Sequence, residues 1–563
     1  MLRDIIKKEI LEGITSAKFV FTFLLWGILI LVSVYAGITN YSAEQKEYAT
    51  AVAKVNSSSD PSLVDSKYES NPVLCPPLLA QKAKQEFNKQ GFSEWIGKIM
   101  KEWRIPGLGI AVIKEGKVVF SEGFGLRDVK RGLKVTPQSL FPIASCTKTF
   151  TAVSLAMLVD EGKADWDIPI REYIPSLRLY DEYATNHITL RDLLAHRSGL
   201  PQHDRMYFNR NITRNEIMER LRFLEPSKDV RERFQYANLN YMIAAYLLEQ
   251  VTNMSWEDFV RKKIFDPLEM KNSNCSVVES QRTSDYALPY REDDGKVEEI
   301  RFFDVNIMGM GPAGSINSNL ADMANWLLFH LNKGKFKEHQ IVSEANLGVT
   351  HTPQIILPGG ITDEMFYSSY GMGWGITSYR NHLMLSHGGG FDGFGCFVSI
   401  LPRDQIGCVV LCNMEGSLLP YILTYTIYDR LLDLSEIHWN ERMKERMAKV
   451  KASAAKRNEE EIFRQGDQTS NPLEKYCGKY EHPAYGILSI EKEGNRLKLT
   501  HNNLPSFLVR LYYDVFETEG KDFGRFKISF ISDEKGAVVR IEVPFEPSVK
   551  NIVFKRMPEN KPI

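Results

Sequence analysis

The chain has 563 residues, of which 43% are hydrophobic and 25% are charged. This length predicts more than one domain, and the ordinary hydrophobic fraction excludes a chain that is disordered throughout. The 70 basic and 71 acidic side chains give a formal net charge of -1, so no overall positive field would attract nucleic acid. Seven cysteines exclude a disulfide-rich scaffold, and no C-x-x-C pair indicates a zinc site.

An apolar segment occupies residues 19–38, FVFTFLLWGILILVSVYAGI, and contains no charged side chain. Twenty helical residues at about 1.5 Å each span the roughly 30 Å hydrocarbon core of a bilayer. A cleaved signal peptide is the alternative, but its apolar region is only about 7–15 residues long, and no clear cleavage site follows here. Four basic residues precede the segment, and only Lys46 and Lys54 follow it closely. The sequence therefore predicts a single-pass protein of the cell membrane, with residues 1–18 in the cytoplasm and the bulk of the chain outside.

The first 55 residues also resemble the start of ABC-2 type transporter permeases, through the stretch KKEILEG and the pair Asn40-Tyr41. That resemblance implies an accessory protein of a membrane transporter. No second apolar stretch of spanning length follows, which favours an anchor over a transport function. Residues 39–84 include a stretch rich in Ser, Asp, Pro and Asn and are predicted to be a linker.

The first elements after the linker have clear local patterns. Residues 92–103 show the apolar spacing of a helix, and apolar runs at 108–113 and 118–124 flank the polar stretch KEGK. Two such runs around a short turn predict a β-hairpin. From about residue 145 to 335 the pattern is mostly helical, with Gly and Pro between the segments.

The second half of the chain changes character twice. Three strands and a following helix are predicted at residues 382–386, 395–401, 407–412 and 418–432. Residues 436–470 include a highly charged stretch with few apolar side chains and are predicted to be a solvated helical connector. Residues 471–563 alternate polar and apolar side chains between Gly, Asn and Asp turns, which predicts a small antiparallel barrel or sandwich.

Ser145 and Lys148 form an S-x-x-K motif at the start of an apolar helical run. Residues i and i+3 share one helix face, so the hydroxyl and the amine can meet. A serine hydroxyl is a poor nucleophile until a base takes its proton, and a buried lysine with a lowered pKa can be that base. The serine N–H at a helix N-terminus also lies where an oxyanion would develop. The motif alone fits equally well an N-cap serine beside a solvated lysine.

Two further motifs carry groups suited to the same chemistry. The Tyr236 hydroxyl can relay a proton, and the Asn238 amide can orient a substrate carbonyl, although a buried structural tyrosine is the commoner case. His387 and three glycines end a predicted strand, where the glycines allow a ligand to approach the backbone closely. A backbone N–H there can complete an oxyanion hole. The alternative for His387 is a surface histidine at a turn.

Together the three motifs, separated by about 90 and 150 residues, resemble the serine β-lactamase and penicillin-binding-protein superfamily. The most similar branch is class C, with DD-peptidases and family VIII esterases. Seven stretches within residues 85–435 carry the resemblance: IPGLGIAVIKEGKVVFSEGFG, FPIASCTKTFTA, LRDLLAHRSGLP, FQYANLNY, GPAGSINSNLADMANW, YGMGWGI and HGGGFDGFG. The resemblance implies an α+β, β-lactamase/transpeptidase-like hydrolase domain, with an antiparallel sheet flanked by helices and a helical subdomain beside it.

The resemblance implies roles for the residues of the S-x-x-K motif and of the Tyr236 and Asn238 motif. Ser145 would be the nucleophile that accepts the acyl group, and Lys148 would be its proton partner. Tyr236 would act as general base or acid, and Asn238 would orient the substrate. Of the residues beside these, His196 is interpreted as a turn residue rather than a base. Cys146 is interpreted as a packing residue, since its side chain points about 100° away from Ser145 around the helix.

The third motif departs from the pattern of the family. His387 stands where the lysine of a Lys-Thr-Gly triplet often stands, and Gly388 lacks the threonine hydroxyl that contacts a carboxylate. Gly389 follows, and Gly390 would supply the second oxyanion N–H. A histidine with a pKa near 6.5 is mostly neutral at pH 7, so activity is expected to rise through about pH 6–7 if a neutral His387 is required. Both departures argue against a β-lactamase or a strict carboxypeptidase.

Residues 471–563 resemble the lipocalin-like domain that is appended to some self-compartmentalising peptidases. There such a domain makes oligomer contacts or restricts access to the site; a plain stabilising module is the alternative. The whole sequence predicts a membrane-anchored serine hydrolase that acts on a small-molecule or peptide substrate through an acyl-enzyme. No metal or cofactor is implied, and a homo-oligomer is compatible with the resemblance. The alternatives are a penicillin-binding envelope sensor that turns over slowly or not at all, and the transporter accessory protein.

Overall fold

The computed structural model describes residues 89–302, 309–359, 362–462, 471–520 and 523–558. The predicted cytoplasmic segment 1–18, the apolar segment 19–38 and the predicted linker 39–84 lie outside these residues. Among the residues that the structure describes, no helix is both long and apolar enough to cross a bilayer.

Helices and strands are numbered here in chain order. The α-helices are α1 Lys89–Glu102, α2 Thr147–Asp160, α3 Ile170–Tyr173, α4 Glu182–His187, α5 Leu190–Leu194, α6 Arg214–Arg220, α7 Asn238–Thr252, α8 Trp256–Val260, α9 Val277–Gln281, α10 Gly311–Gly314, α11 Leu320–Leu331, α12 Glu344–Thr350, α13 Leu419–Leu431 and α14 Trp439–Ile462. The strands of the N-terminal half are β1 Gly107–Lys114, β2 Lys117–Asp128, β3 Leu133–Lys134, β4 Phe141–Pro142, β5 Tyr290–Asp293, β6 Lys296–Glu299, β7 Asn317–Ser318, β8 Lys335–Phe336 and β9 His339–Gln340. The later strands are β10 Ile355–Ile356, β11 Met365–Tyr370, β12 Gly375–Tyr379, β13 His382–Phe391, β14 Phe394–Leu401, β15 Ile406–Cys412, β16 Gly478–His482, β17 Gly486–Glu493, β18 Arg496–His501, β19 Leu504–Tyr512, β20 Val515–Thr518, β21 Lys527–Ser532, β22 Val538–Val543 and β23 Ile552–Arg556.

A nine-stranded antiparallel sheet forms the frame of the larger part, in the order β10-β11-β12-β13-β14-β15-β1-β2-β3. The predicted hairpin is confirmed, since β1 pairs with β2 and Lys114 lies opposite Lys117. Its two turn residues, Glu115 and Gly116, both have positive φ angles of 50° and 73°. Positive φ at both central residues is typical of the type I′ turn, whose twist matches that of the strands.

Helices cover both faces of the central strands, which explains why β14 and β15 are almost entirely apolar. Gly407 of β15 packs against Leu327 of α11. The next residue, Cys408, lies 3.7 Å from the hydroxyl of Thr424 in α13. Successive side chains of a strand point to opposite faces, so α11 and α13 lie on opposite sides of the sheet. Every residue of β14 and β15 is buried, as expected for strands covered twice.

Helix α2 is the central helix, because its residues 147–158 are all buried. A helix that is buried on every side lies in a core rather than at a surface. The ring of Phe150 stacks on Trp326 of α11, with 3.7 Å between ring centroids. This contact fixes α2, and with it the S-x-x-K motif, against the helix that covers the sheet.

The C-terminal part is a closed barrel of strands β16 to β23. Each strand pairs antiparallel with the next, and β16 pairs with β23 to close it. The predicted small antiparallel barrel is therefore confirmed. Helix α14 lies within the segment predicted to be a charged connector, and the indole N–H of Trp439 at its start donates to Asp429 at 2.8 Å.

The barrel packs against a loop of the larger part through His203. The ring Nε2 of His203 lies 2.9 Å from the carbonyl oxygen of Glu225, which can only accept, so Nε2 carries the proton. Nδ1 therefore accepts from the hydroxyl of Tyr485, at 2.8 Å. The carboxylate of Glu546 accepts from the backbone N–H of His203 at 3.1 Å. Two barrel residues thus hold one buried histidine by its ring and its backbone.

The same loop is held a few residues further along. The amide of Asn502 donates to the backbone oxygens of Arg205, at 2.9 Å, and Phe208, at 3.1 Å. The guanidinium of Arg205 lies 5.2 and 5.1 Å from the ring centroids of Phe523 and Phe526 and donates to the Phe523 carbonyl. The barrel therefore supports the whole stretch from residue 203 to 208.

We predict that Tyr485→Phe lowers the free energy of unfolding by about 1–3 kcal/mol, because it leaves the buried Nδ1 of His203 without its donor. Tyr513→Phe is the matched control, since Tyr513 lies in the same barrel and is 72% exposed; it should change stability by less than about 0.5 kcal/mol. Urea denaturation of the two variants measures both values. Equal effects would contradict the role of the Tyr485 hydroxyl.

Candidate active site

Ser145 lies in a tight 3-10 turn, Ala144–Cys146, immediately before α2. Ala144 has a φ angle of +45°, a left-handed conformation that costs a non-glycine residue about 1–2 kcal/mol. The turn is held by its neighbours, because the backbone N–H of Ile143 donates to Ile316 at 2.9 Å. Backbone strain held in place by surrounding structure is typical of functional sites.

Lys148 is fully buried, and its amine contacts three oxygen atoms. Nζ lies 3.1 Å from Ser145 Oγ, 2.8 Å from Asn238 Oδ1 and 2.8 Å from the carbonyl oxygen of Ala313. Burial lowers the pKa of Lys148 from the usual 10.5 to about 7, although the nearby Asp204 opposes the shift. The neutral amine is therefore well populated at neutral pH beside the serine hydroxyl, as a general base requires.

Tyr236 lies just before α7, and its ring centroid is 4.9 Å from Lys148 Nζ. Burial raises the pKa of Tyr236 above its usual value of 10, and a hydrogen bond with Ser145 offsets part of that shift. The phenol is thus protonated at neutral pH. Of the two candidate bases, Lys148 is the one with a titration midpoint in the physiological range.

His196 supports the backbone that carries Tyr236. Its ring Nδ1 accepts from the backbone N–H of Ala237 at 3.2 Å, and its carbonyl oxygen accepts from Gln235 N–H at 2.7 Å. The rings of His196 and Tyr236 lie 4.3 Å apart. Burial and the charge of Lys148 lower the pKa of His196 well below 6.5. These contacts agree with the interpretation of His196 as a turn residue rather than a base.

Asn238 connects the lysine to two residues that the sequence motifs did not include. Its amide nitrogen lies 3.4 Å from Asp204 Oδ1 and 3.3 Å from the hydroxyl of Tyr207. The Tyr207 hydroxyl in turn donates to Asp204. Asp204 and Tyr207 come from the loop that the barrel holds, so a contact distant in sequence brings them here. No local pattern in that loop distinguishes them as site residues.

His387 is buried on β13, so the alternative of a surface histidine at a turn is wrong. Nδ1 lies 2.7 Å from the carbonyl oxygen of Gly388 and must carry the proton, so Nε2 accepts from the hydroxyl of Tyr370 at 3.0 Å. Burial and the charge of Lys148 lower the pKa of His387 to about 3. A rise of activity through pH 6–7 therefore cannot be assigned to His387, because its ring is already neutral there.

The three glycines after His387 have different surroundings. A methyl group at Gly389 would overlap the carbonyl oxygen of Ile143 and the thiol of Cys396, and one at Gly388 would overlap the Tyr421 hydroxyl. A methyl group at Gly390 would meet no heavy atom within 4 Å. Gly389 thus lets β13 lie against the turn of Ser145, whereas Gly390 faces open space.

Two buried thiols connect this turn with the sheet. Sγ of Cys146 lies 3.3 Å from Sγ of Cys396 and donates to the carbonyl oxygen of His387 at 3.2 Å. Cys396 donates to the carbonyl oxygen of Ile143 at 2.9 Å. The interpretation of Cys146 as a packing residue is confirmed by these contacts. The cysteines of the described ranges are free thiols, Cys408 and Cys412 among them.

A cavity of about 280 Å³ opens at Ser145 and is bordered by Asn238 and Gly390. The structure thus brings Ser145, Lys148, Tyr236 and Asn238 together, with Gly390 across the cavity, while the His387 ring hydrogen-bonds with its neighbours on the sheet. Within the described residues, no group of three or more His, Cys, Asp or Glu side chains is arranged to hold a metal ion. The arrangement suits proton removal from a serine beside a site for an acyl donor.

Two family models and several curated relatives match this chain. A family model described as Beta-lactamase matches residues 92–425, and one described as a domain of unknown function (DUF3471) matches residues 464–556. An unguisins hydrolase of Aspergillus campestris is 29% identical over 433 residues, which cover 72% of this chain and 79% of that protein. Protein flp of Staphylococcus aureus is 26% identical over 342 residues, or 60% of this chain and 66% of that protein.

A solved structure shares the fold over most of the chain. The octameric penicillin-binding protein homologue from Pyrococcus abyssi superposes with a TM-score of 0.56 and 23% identity, and the match covers 83% of this chain and 100% of that one. The β-lactamase/transpeptidase-like fold predicted from the sequence is confirmed by the family match and by this similarity.

We predict that Gly389→Ala lowers the free energy of unfolding by about 1–3 kcal/mol, because the new methyl group overlaps the backbone beside Ser145. Gly390→Ala is the adjacent control and should stay within about 0.5 kcal/mol of the unchanged protein, since its methyl group meets open space. Thermal and urea denaturation compare the two. If both variants lose the same stability, the close approach at Gly389 is not the cause.

Proposed function

The chain belongs to the Beta-lactamase family, and from that premise we propose that it hydrolyses a peptide, amide or ester through an acyl-enzyme on Ser145. The observation that carries the proposal is the set of acceptors around Lys148. A neutral amine has two N–H donors and one lone pair. Asn238 Oδ1 and the Ala313 carbonyl can only accept, so they take the two N–H groups. The lone pair is then directed at Ser145 Oγ, 3.1 Å away.

The acylation step follows from this arrangement. Lys148 removes the Ser145 hydroxyl proton as Oγ bonds to the substrate carbonyl carbon. The backbone N–H groups of Ser145 and Gly390 stabilise the oxyanion, each contributing about 3–4 kcal/mol in such sites. The bond to the leaving group breaks as that group takes the proton from Lys148, directly or through the Tyr236 hydroxyl. Water then attacks the ester with Lys148 again as base, which releases the acid and restores Ser145.

The printed names of the relatives support hydrolysis, but they do not define the substrate of this chain. The fungal relative is named as a hydrolase of unguisins, and the Pyrococcus abyssi protein is described as an octameric homologue of a penicillin-binding protein. A homo-oligomer of this chain is accordingly a proposal, and so is the lipocalin-like character of the barrel. The membrane anchor at residues 19–38, with the catalytic part outside the cell, stays a prediction from the sequence.

We predict that a fluorophosphonate probe adds one covalent mass to the full chain, and that peptide mapping assigns it to Ser145. Ser145→Ala should remove this labelling. Ser154→Ala, a buried serine further along the same helix, is the control and should label normally. Intact-mass spectrometry measures all three proteins. Equal labelling of Ser145→Ala would exclude Ser145 as the nucleophile, and labelling without steady-state product release would favour the penicillin-binding sensor.

We predict that the acylation rate rises with pH and levels off above a midpoint near 7, because only neutral Lys148 accepts the proton. Below the midpoint the rate should fall about 10-fold per pH unit, as the charged form of the lysine accumulates. The rate of probe labelling between pH 5 and 9 measures this. A flat profile over that range would exclude Lys148 as the base.

A further inference from the structure

Acidic side chains dominate the cavity in front of Ser145. Asp204, Asp392 and Glu415 border it, whereas no lysine or arginine is among the described residues that line it. Lys148 lies behind the nucleophile, and burial lowers its pKa to about 7, so it carries only part of its charge at neutral pH. Burial also raises the pKa of Asp204, and hydrogen bonds from Tyr207 and Asn238 oppose that shift. A narrow cleft with one sign of charge attracts ligands of the opposite sign. The cavity is therefore suited to a cationic group on the substrate.

Asp204 is hydrogen-bonded to Asn238, a residue of the candidate site. Asp204 is connected to Ser145 through Asn238 and Lys148. The amide nitrogen of Asn238 contacts Asp204, and its amide oxygen contacts Lys148, which in turn contacts Ser145. The hydrogen bonds from Tyr207 and Asn238 both end on Oδ1 of Asp204. Asp204 borders the cavity, and an ammonium bound to its Oδ2 would displace neither of these donors.

The position of Asp204 is fixed before any ligand arrives. Asp204 begins the 3-10 turn Asp204–Met206, and the preceding His203 is held by Tyr485 and Glu546 of the barrel. Asn502 holds the backbone of the same turn. A carboxylate that is held in place loses little conformational freedom on binding, so preorganisation favours affinity for a cation.

We propose that the cavity takes acyl donors that carry a protonated amine within a few bonds of the scissile carbonyl, and that Asp204 is the residue that binds this amine. The inference rests on the proposed function, since it names the substrate class of the same site. The ammonium would donate to Oδ2 of Asp204 while the carbonyl carbon lies at Ser145 Oγ. A substrate whose amine is acylated has no positive charge to offer, so Oδ2 of Asp204 would gain no cationic partner when that substrate covers the cavity.

A positioning role is the competing account of Asp204. Through Asn238 it would then orient Lys148 and act on every substrate alike. The two roles differ in what they predict for matched substrates with and without the amine. A residue that binds the amine changes KM for one substrate only, whereas a residue that positions Lys148 changes kcat for both.

The test compares D- and L-alanine p-nitroanilides that have a free amine with their N-acetyl counterparts, on the full chain and on Asp204→Asn. The unchanged protein should prefer one free-amine substrate by at least about 10-fold in kcat/KM. Asp204→Asn should lose about 30-fold on that substrate, mainly through KM, and less than about 3-fold on its N-acetyl form. Glu415→Gln, which changes another acid at the cavity, is the matched control and should lose less than Asp204→Asn.

Several outcomes would overturn the inference. If the unchanged protein prefers the N-acetyl substrates, the inference is wrong. This comparison needs no variant, so the test does not depend on the folding of Asp204→Asn. Equal losses of kcat on both substrates would assign Asp204 to positioning. Fluorophosphonate labelling of Ser145 distinguishes the proposed function from the proposed amine site. If the probe labels Ser145 but kcat/KM is the same with and without the free amine, only the amine site is refuted.

Discussion

The amine of Lys148 lies in the protein interior, and much of the structure serves to keep it there in a reactive form. Removing an ammonium from water is costly, so the charged form is disfavoured and the pKa falls to about 7. Three oxygen atoms nevertheless satisfy its hydrogen bonds, and they come from the turn of Ser145, from α7 and from α10. Those elements must meet at one point within a few tenths of an ångström. The buried helix α2, stacked on Trp326, is the fixed axis to which they are joined.

Local patterns predicted the frame of this fold well. The hairpin of β1 and β2, the strands β13 to β15 and the helix that follows are all visible as periodicity and turn residues. The barrel was predictable for the same reason, because its strands alternate between regular turns. The S-x-x-K pair was predictable since residues three apart on a helix always share a face. In each case the information lies within about ten neighbouring residues.

The rest of the site depends on contacts between distant segments, which no local pattern encodes. Asp204 and Tyr207 reach Asn238 from a loop that the barrel, almost three hundred residues further along, holds. His387 looked like a titrating group near neutrality, but burial in the sheet and its bond to Tyr370 keep it neutral. Gly389 looked like a place for a ligand, whereas its missing side chain accommodates the backbone of Ile143. Burial and long-range packing, rather than residue type, decided all three.

The barrel and the catalytic part therefore share one constraint. The strained backbone at Ala144 and the buried Lys148 both cost stability, so the segments around them have to be held by other contacts. The Cys146 and Cys396 thiols hold the turn from the sheet side, and His203 with its barrel partners holds the loop on the opposite side of Asn238. Because Asn238 touches both Lys148 and Asp204, a shift of the barrel would change the surroundings of the amine as well as the shape of the cavity. The barrel is thus linked to the chemistry through a continuous set of hydrogen bonds, although the residues that make them lie far apart in the chain.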